Sequence, residues 1–300
     1  MGRPPGEPNM SARAAENSSK KKITLFLCGD VMAGRGIDQV LSRHGDPAIH
    51  EPYLKTAQGY VDLAERVHGP IPRPVDFSYP WGDAIGEIDR AAPDLRIINL
   101  ETSITVSDEY WKDKEIHYRM NPKNIPFFGA AHIDCLALAN NHILDWGYSG
   151  LKETLESLQR ANLKAAGAGR DLKEAETPAV MDVKGKGRVI VFSFGSATSG
   201  IPFDWAASKN RVGLNFLEEL SPSSVKKIGE KVLAVKKPGD LVVASIHWGG
   251  NWGYGIPPGQ RAFSHGLIDL AGVDVASWTF FSSCQGGGSL PGEAHSVQLR

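Results

Sequence analysis

Four apolar runs of strand length recur along the chain, and polar or charged side chains follow each run directly. The runs cover residues 23–28, 95–100, 133–139 and 240–246. Strands that are buried on both faces of a parallel sheet read as short, continuous apolar stretches of this kind. Since helical patterns fall between the runs, the sequence predicts an α/β fold.

Apolar residues at helical spacing identify three helices. The positions concerned are Leu151, Leu155 and Leu158; Val225, Ile228, Val232 and Val235; and Phe263, Leu267 and Leu270. Ser221 and Pro222 open the second helix as an N-cap residue followed by proline at the first helical position. Residues 180–194 predict a β-hairpin with some antiparallel pairing. The Pro-rich residues 51–80 show no clear pattern, and we interpret them as an inserted loop.

Charge and apolar content exclude two classes of partner. Lys and Arg total 33 against 34 Asp and Glu, so the chain has no basic excess for binding nucleic acid. No stretch reaches the ~18 apolar residues of a membrane span. Residues 1–22 are polar, and we interpret them as a disordered leader without a signal peptide. Three widely spaced cysteines fit a reducing compartment better than a disulfide framework. Since the sequence shows neither a signal peptide nor a membrane anchor, the localisation expected by default is cytoplasmic.

The four predicted strand ends carry side chains that are suited to binding a metal. In α/β sheets, ligands gather at the carboxyl ends of the strands, where the loops converge. The side chains that would meet there are Asp30, Glu101, Asn140, Asn141, His142 and His247. Carboxylate, amide and imidazole groups are donors that a divalent metal such as Mn, Fe or Zn accepts. The signal is this convergence, because no local metal motif such as HExxH is present.

Each of these residues also has a purely structural interpretation. Asp30 and Glu101 could serve as helix caps or loop ion pairs, and Asn140 with Asn141 could form a turn. A histidine that follows an apolar strand, such as His247, is more often packed in a core than bound to a metal. Four strand ends that all finish in potential ligands would be a coincidence in a purely structural sheet, which favours the metal site.

Six short blocks of the sequence are distinctive, and four of them contain these residues. In chain order they are 29–35 (GDVMAGR), 99–102 (NLET), 139–142 (ANNH), 145–147 (DWG), 167–170 (GAGR) and 247–249 (HWG). The chain resembles in these blocks the CapA family, the bacterial capsule or poly-gamma-glutamate synthesis proteins. The similarity runs from about Ile23 to about Val275, and the GDVM and ANNH blocks together are specific.

The resemblance implies a fold similar to that of the calcineurin-like metallophosphoesterases, an αββα sandwich of two face-to-face sheets with helices outside. It divides the chain into the leader 1–22, a CapA-like domain 23–276 and an atypical tail 277–300. Family members continue after the Gly-x-Asp at 272–274 with a Gly-His-x-His block, whereas here no histidine follows until His295. The sequence therefore predicts a sandwich that is incomplete at its C-terminus.

The resemblance also implies roles for individual residues. The matching positions are Asp30 and Glu101 as carboxylate ligands, Asn141 as an amide ligand, His247 as an imidazole ligand and His142 as the proton donor to the leaving group. Glu101 is the carboxylate expected to bridge two ions. The metallophosphoesterases usually carry Asp-x-His at the first strand, and Met32 stands in the place of that histidine. One imidazole ligand of a two-ion site is therefore missing.

Four further residues are candidates for binding the substrate: Arg35, Arg119, Asn140 and Trp248. A guanidinium group forks onto a carboxylate or a phosphate, which makes the two arginines candidates for an anionic group. Surface ion pairs are the alternative for both. Trp248 could stack on a substrate or pack in the rim of the pocket.

Two functions from different classes follow from these assignments. The first is a metal-dependent hydrolase that acts on a phosphate ester or on the gamma-glutamyl polymer, so its partner is an anionic polymer or a phosphate ester. The second is a non-catalytic, polymer-binding scaffold in a capsule synthesis and export complex, whose other proteins would be partners. An inactive truncated product is a third possibility. The missing histidine block favours the scaffold, whereas the four strand ends favour the hydrolase.

Overall fold

The structure is a computed structural model that describes residues 22–250, 255–279 and 296–299. The predicted leader up to residue 21 and most of the predicted tail lie outside the described residues.

The described residues form fourteen strands and eight α-helices. The strands are β1 (Leu25–Val31), β2 (Leu95–Leu100), β3 (Ser103–Ile104), β4 (Arg119–Met120), β5 (Cys135–Ala137), β6 (Lys164–Ala166), β7 (Ala168–Gly169), β8 (Ala179–Val183), β9 (Gly187–Ser196), β10 (Gly213–Leu214), β11 (Phe216–Leu217), β12 (Leu241–His247), β13 (Val275–Thr279) and β14 (Ser296–Leu299). The helices are α1 (Arg35–Val40), α2 (Gln58–His68), α3 (Ala84–Ala91), α4 (Pro126–Ala130), α5 (Gly147–Arg160), α6 (Leu172–Glu176), α7 (Pro222–Val235) and α8 (Pro258–Leu270).

Two sheets contain most of these strands. The first is fully parallel, in the order β1-β2-β5-β6. The second has the order β11-β9-β12-β13-β14, with β9, β12 and β13 parallel, and β8 pairs antiparallel with β9 as the predicted hairpin. The α/β prediction is therefore confirmed.

Alternation along the strands distributes apolar side chains to both faces of each sheet. Val189 and Val191 of β9 pack in one cluster with Leu95 and Ile97 of β2, so the two sheets face each other across this cluster. On its other face, β2 packs Ile98 and Leu100 against α5, and β9 packs Ile190 and Phe192 against α7 and α8. Helices therefore cover the outer face of each sheet.

The second predicted helix begins where the sequence predicts. The hydroxyl of Ser221 accepts a hydrogen bond from the backbone N–H of Ser224 (3.2 Å), and Pro222 is the first helical residue. Proline is tolerated there because its missing N–H would have no partner within the helix.

The interpretation of residues 51–80 as a loop is wrong. This region contains α2, and Val61 on that helix is buried against Val40, Leu41 and Val75. The helix is short and prolines lie on both sides of it, at positions 52, 70, 72 and 74, so its helical spacing was not recognised. Tertiary contacts with α1 stabilise a helix that local sequence does not predict.

Among the helices of the described residues, none has the length and the apolar character that a bilayer crossing requires.

Candidate active site

The carboxyl ends of the strands form one side of a cavity of about 440 Å³. The predicted site residues among those that line it are Arg35, Glu101, Asn141, His142, His247 and Trp248. Asp30 and Asn99 are paired neighbours on the parallel strands β1 and β2, and Glu101 follows β2 directly. The register of β1 shifts between Cys28 and Asp30, and such irregularities re-aim side chains next to active sites.

The imidazole of His247 contacts all three of the other predicted metal ligands. Its Nε2 lies 2.8 Å from Oδ1 of Asn141 and 4.0 Å from Oε1 of Glu101. Its Nδ1 lies 3.6 Å from Oδ1 of Asp30. The structure thus brings the four residues together, with Asp30 at one ring nitrogen and the other two at the second.

Asn99 braces this group, a role that we did not expect from the sequence. Its Nδ2 donates to Oδ1 of Asp30 (2.5 Å) and lies 3.4 Å from Nδ1 of His247. Its Oδ1 accepts a hydrogen bond from Nδ2 of Asn140 (3.1 Å). An amide side chain inside a mostly apolar strand was the signal in the sequence, because a buried amide needs hydrogen-bond partners.

Asn140 lies within the protein and is not part of the cavity wall. Its Nδ2 also donates to the carbonyl of Leu100 (2.7 Å), and its Oδ1 accepts from the backbone N–H of His142 (3.0 Å). These hydrogen bonds give the amide group of Asn140 partners within the protein and hold the ANNH turn against β2. The substrate-binding role expected for Asn140 has no support in this placement.

His142 is held by two buried charged groups. Its Nδ1 lies 2.7 Å from Oδ2 of Asp145 and 2.9 Å from Nζ of Lys114, while its Nε2 lies 3.7 Å from Oε1 of Glu101. Its ring stacks on that of Tyr118 with centroids 3.8 Å apart. This packing fixes the ring and directs Nε2 towards Glu101.

Burial lowers the pKa of His142 to about 4, against the opposing charge of Asp145. Burial also lowers the pKa of Lys114, again against Asp145. Burial alone would raise the pKa of Asp145, but its electrostatic interactions and hydrogen bonds with His142 and Lys114 hold it below its ordinary value. At neutral pH the imidazole is therefore neutral, and Asp145 is ionised. The sequence carried no signal for Lys114, which reaches the site from the irregular segment between β3 and β4.

Arg35 contributes a guanidinium group to the cavity. Its Nε donates to Oε1 of Glu51 (2.6 Å), whose side chain is fully buried. Its Cζ lies 4.6 Å from the ring centroid of Tyr60 and 4.7 Å from that of Tyr118. Arg35 is thus positioned by an ion pair and two aromatic rings. Glu51 and Tyr60 belong to the region that we interpreted as a loop, so the sequence analysis did not find them.

Arg119 lies outside the residues that line the cavity. Its Nη1 donates to the carbonyl of Ser107 (2.9 Å) and to Oδ1 of Asp108 (2.8 Å). Its Cζ lies 3.8 Å from the ring centroid of Trp146. These contacts correspond to the ion pair that was the alternative to substrate binding for Arg119.

Trp248 does line the cavity and is fully buried.

In the described part of the chain, no three His, Cys, Asp or Glu side chains are already arranged to hold a metal ion. The donor types nevertheless fit a divalent cation on the Nε2 side of His247. Ligand atoms about 2.1 Å from one ion lie roughly 3 to 4 Å from one another, and Nε2 of His247 lies 2.8 Å from Asn141 and 4.0 Å from Glu101. Coordination at Nε2 would leave the ring proton on Nδ1, which faces the carboxylate of Asp30, and metal-bound histidines usually have such a partner.

Comparison with known proteins gives a consistent family. The sequence model of the family described as "Bacterial capsule synthesis protein PGA_cap" matches residues 24–276. A probable polyglutamine synthesis accessory protein of Mycobacterium tuberculosis is 46% identical over 254 residues, which cover 84% of this chain and 67% of that protein.

Two more distant relatives come from bacilli. The capsule biosynthesis protein CapA of Bacillus anthracis is 26% identical over 267 residues, which cover 87% of this chain and 54% of that protein. The PGA biosynthesis protein CapA of Bacillus subtilis is 28% identical over 254 residues, which cover 84% and 56%. The chain thus spans about half the length of these two relatives.

Proposed function

The chain belongs to the family of bacterial capsule synthesis proteins, and from this membership we propose that it is an accessory protein of capsule-polymer synthesis that acts as a metal-dependent hydrolase. The observation that carries the proposal is the contact of one imidazole, His247, with Asp30, Glu101 and Asn141 in a single group. Such a convergence of oxygen and nitrogen donors is what a catalytic cation requires. The substrate is a phosphate ester or an amide of a gamma-glutamyl polymer, and the capsule-synthesis proteins are its partners.

The packing of the sheets supports a fold of the calcineurin-like metallophosphoesterase type. Apolar residues of both sheets share one cluster, and helices cover both outer faces. The predicted αββα sandwich has this layer order. In that fold the site lies where the loops at the strand ends converge, which is where the cavity lies here.

The residues that would hold the cation are His247, Asn141 and Glu101, with Asp30 beside the second ring nitrogen of His247. A divalent cation such as Mn, Fe or Zn would supply an activated water and neutralise charge on the substrate. We assign no second ion, because Met32 replaces the histidine that the metallophosphoesterases have at this strand.

Four of the protein's own side chains have tasks in the proposed reaction. Arg35 binds and orients the anionic group of the substrate, because a guanidinium presents several N–H donors to carboxylate or phosphate. His142 relays a proton at Nε2, which faces Glu101 at the cavity: the neutral ring accepts the proton from the attacking water and gives it to the leaving group. Asp145 orients the ring of His142 through Nδ1. Trp248 forms part of the wall that encloses the substrate.

The test combines metal analysis with hydrolysis. Purified full-length protein, His247→Ala and the control His265→Ala, an exposed histidine on α8, would be loaded with Mn, Fe or Zn and assayed on a chromogenic phosphate ester and on poly-gamma-glutamate. We expect bound metal and turnover in the wild type and in His265→Ala, and loss of both in His247→Ala. Equal rates in the three proteins would remove the catalytic claim.

A further inference from the structure

A second cavity of about 320 Å³ lies between α1, α2 and the residues around position 80. Most of its lining is apolar and includes Met32, Ile37, Val40, Val61, Ala64 and Ile71. Its volume falls within the ~300–1,000 Å³ of small-molecule sites. Among its lining residues, which all belong to the described chain, Arg35 is the one that carries a charge. The cavity is therefore an apolar space with a single cationic group in its wall.

Arg35 lines both this apolar cavity and the candidate active site. Its guanidinium lies between two rings, that of Tyr60 on the side of the apolar cavity and that of Tyr118 on the side of the active site. The side chain of Arg35 thus forms part of the wall of two cavities, the polar candidate active site and the apolar second cavity.

The hydrogen bonding of Arg35 is incomplete. Glu51 accepts from Nε, whereas Nη2 is buried and has no hydrogen-bond partner among the described residues. Leaving a buried donor of a charged group without a partner costs free energy, and native structures rarely do so without a reason. An anion beside Nη2 would satisfy it.

The backbone of Arg35 is also strained. Its φ is +48°, a conformation that residues other than glycine rarely adopt. Gly34 before it has no room for a side chain, since a Cβ would lie 2.9 Å from the backbone N and O of Arg119. Strain of this kind persists where the surrounding structure holds it, commonly at ligand sites. Here the residue with the strained backbone is the one that lines both cavities.

From these observations we propose that the ligand of this protein carries an apolar ring or chain next to its anionic group, with the anion at Nη2 of Arg35 and the apolar group in the second cavity. The inference rests on the proposed function only for the assignment of an anion to Arg35. A polymer that bears carboxylates and no apolar group would gain nothing from the apolar lining, because the favourable term there is the removal of apolar surface from water. The inference therefore narrows the two substrate classes proposed above to those members that are amphiphilic, a phosphate or a carboxylate with an apolar group beside it.

The test measures binding without turnover. Titration calorimetry on the full-length protein would compare (2-naphthylmethyl)phosphonate with methylphosphonate, which share the anionic group and cannot be hydrolysed at the P–C bond. We expect the naphthyl probe to bind at least tenfold more tightly than methylphosphonate. Equal affinities would overturn the proposal, and this comparison requires no variant.

Two variants of α2 locate the apolar group. Ala64→Phe fills the apolar cavity and should weaken binding of the naphthyl probe at least tenfold while leaving methylphosphonate unchanged. Val67→Phe places the same ring on the exposed side of α2 and should change neither affinity. Ala64→Leu serves as a smaller filling residue if the phenylalanine variant does not fold. Undiminished naphthyl binding in a folded filling variant would overturn the assignment of the cavity.

The outcomes separate this inference from the proposed function. In one outcome the protein binds the naphthyl probe more tightly than methylphosphonate and yet hydrolyses neither the phosphate ester nor poly-gamma-glutamate. That result would contradict the proposed hydrolase activity and leave the assignment of the apolar cavity intact. Hydrolysis together with equal affinities for the two phosphonates would contradict the assignment of the apolar cavity and leave the hydrolase activity intact.

Discussion

His247 donates through Nε2 to Oδ1 of Asn141 across 2.8 Å, although 106 residues separate the two in the chain. The direction follows from chemistry, because an amide oxygen only accepts hydrogen bonds. The proton on Nε2 leaves a lone pair on Nδ1, which faces the Nδ2 donor of Asn99 at 3.4 Å. The same two atoms, Nε2 and Oδ1, are the ones that a cation would take as ligands in place of their hydrogen bond.

Asn141→Ala is expected to lower the affinity for a divalent cation by at least about tenfold, since loss of outer partners alone commonly costs roughly 10- to 100-fold. Asn141→Asp keeps an oxygen ligand and should retain most of the affinity. Competition with a metal-sensitive dye measures both variants. Equal affinities in the wild type and Asn141→Ala would remove Asn141 from the ligand set.

Asn99→Ala is expected to lower the free energy of unfolding by about 1–3 kcal/mol, because it removes a partner from the buried group around Asp30 and Asn140. Urea unfolding followed by circular dichroism measures the change. Asn210→Ala, an exposed asparagine, should stay within about 0.5 kcal/mol of the wild type. If the two variants were equally stable, the bracing role of Asn99 would be wrong.

Two leucines on α8 give a matched test of how that helix packs. Leu267 is fully buried, whereas Leu270 is 81% exposed although it shares the predicted apolar spacing. Leu267→Ala should cost about 2–5 kcal/mol, as a large-to-small change in a core does, and Leu270→Ala should stay within about 0.5 kcal/mol. Thermal or urea unfolding compares them, and a reversed order would contradict the orientation of α8.

The ion pair of Asp240 with Arg188 predicts a dependence of stability on pH away from the site. The hydrogen bond from Arg188 holds the pKa of Asp240 below its ordinary value. A carboxyl with a depressed folded-state pKa stabilises the protein above its unfolded pKa of about 3.9, and this stabilisation is lost as the pH falls through the folded-state pKa.

Asp240→Asn should therefore be less stable than the wild type at pH 7, and the difference should shrink below about pH 4. Urea titrations at pH 7, 5 and 3 measure it. A difference that stays constant across this range would show that the charge of Asp240 does not contribute.

Residues whose role depends on near neighbours could be predicted from the sequence. The run 95–100 coincides with β2, and the Ser221 cap and Pro222 begin α7 because both act within one helical turn. The sequence also predicted that three of the site residues lie at one cavity, namely Glu101, Asn141 and His247, because parallel strands present their carboxyl ends at the same edge of a sheet.

The site residues that could not be predicted from the sequence are positioned by contacts between distant parts of the chain. Asn99 faces His247 across 148 residues, and Lys114 reaches Asp145 from a segment without regular structure. The pairing of Arg35 with Glu51 joins the start of α1 to the segment before α2, and the two helices pack together through Val40 and Val61. Local sequence encodes propensity and periodicity over a few residues, whereas the partner of a buried polar group is chosen by the geometry of the whole fold.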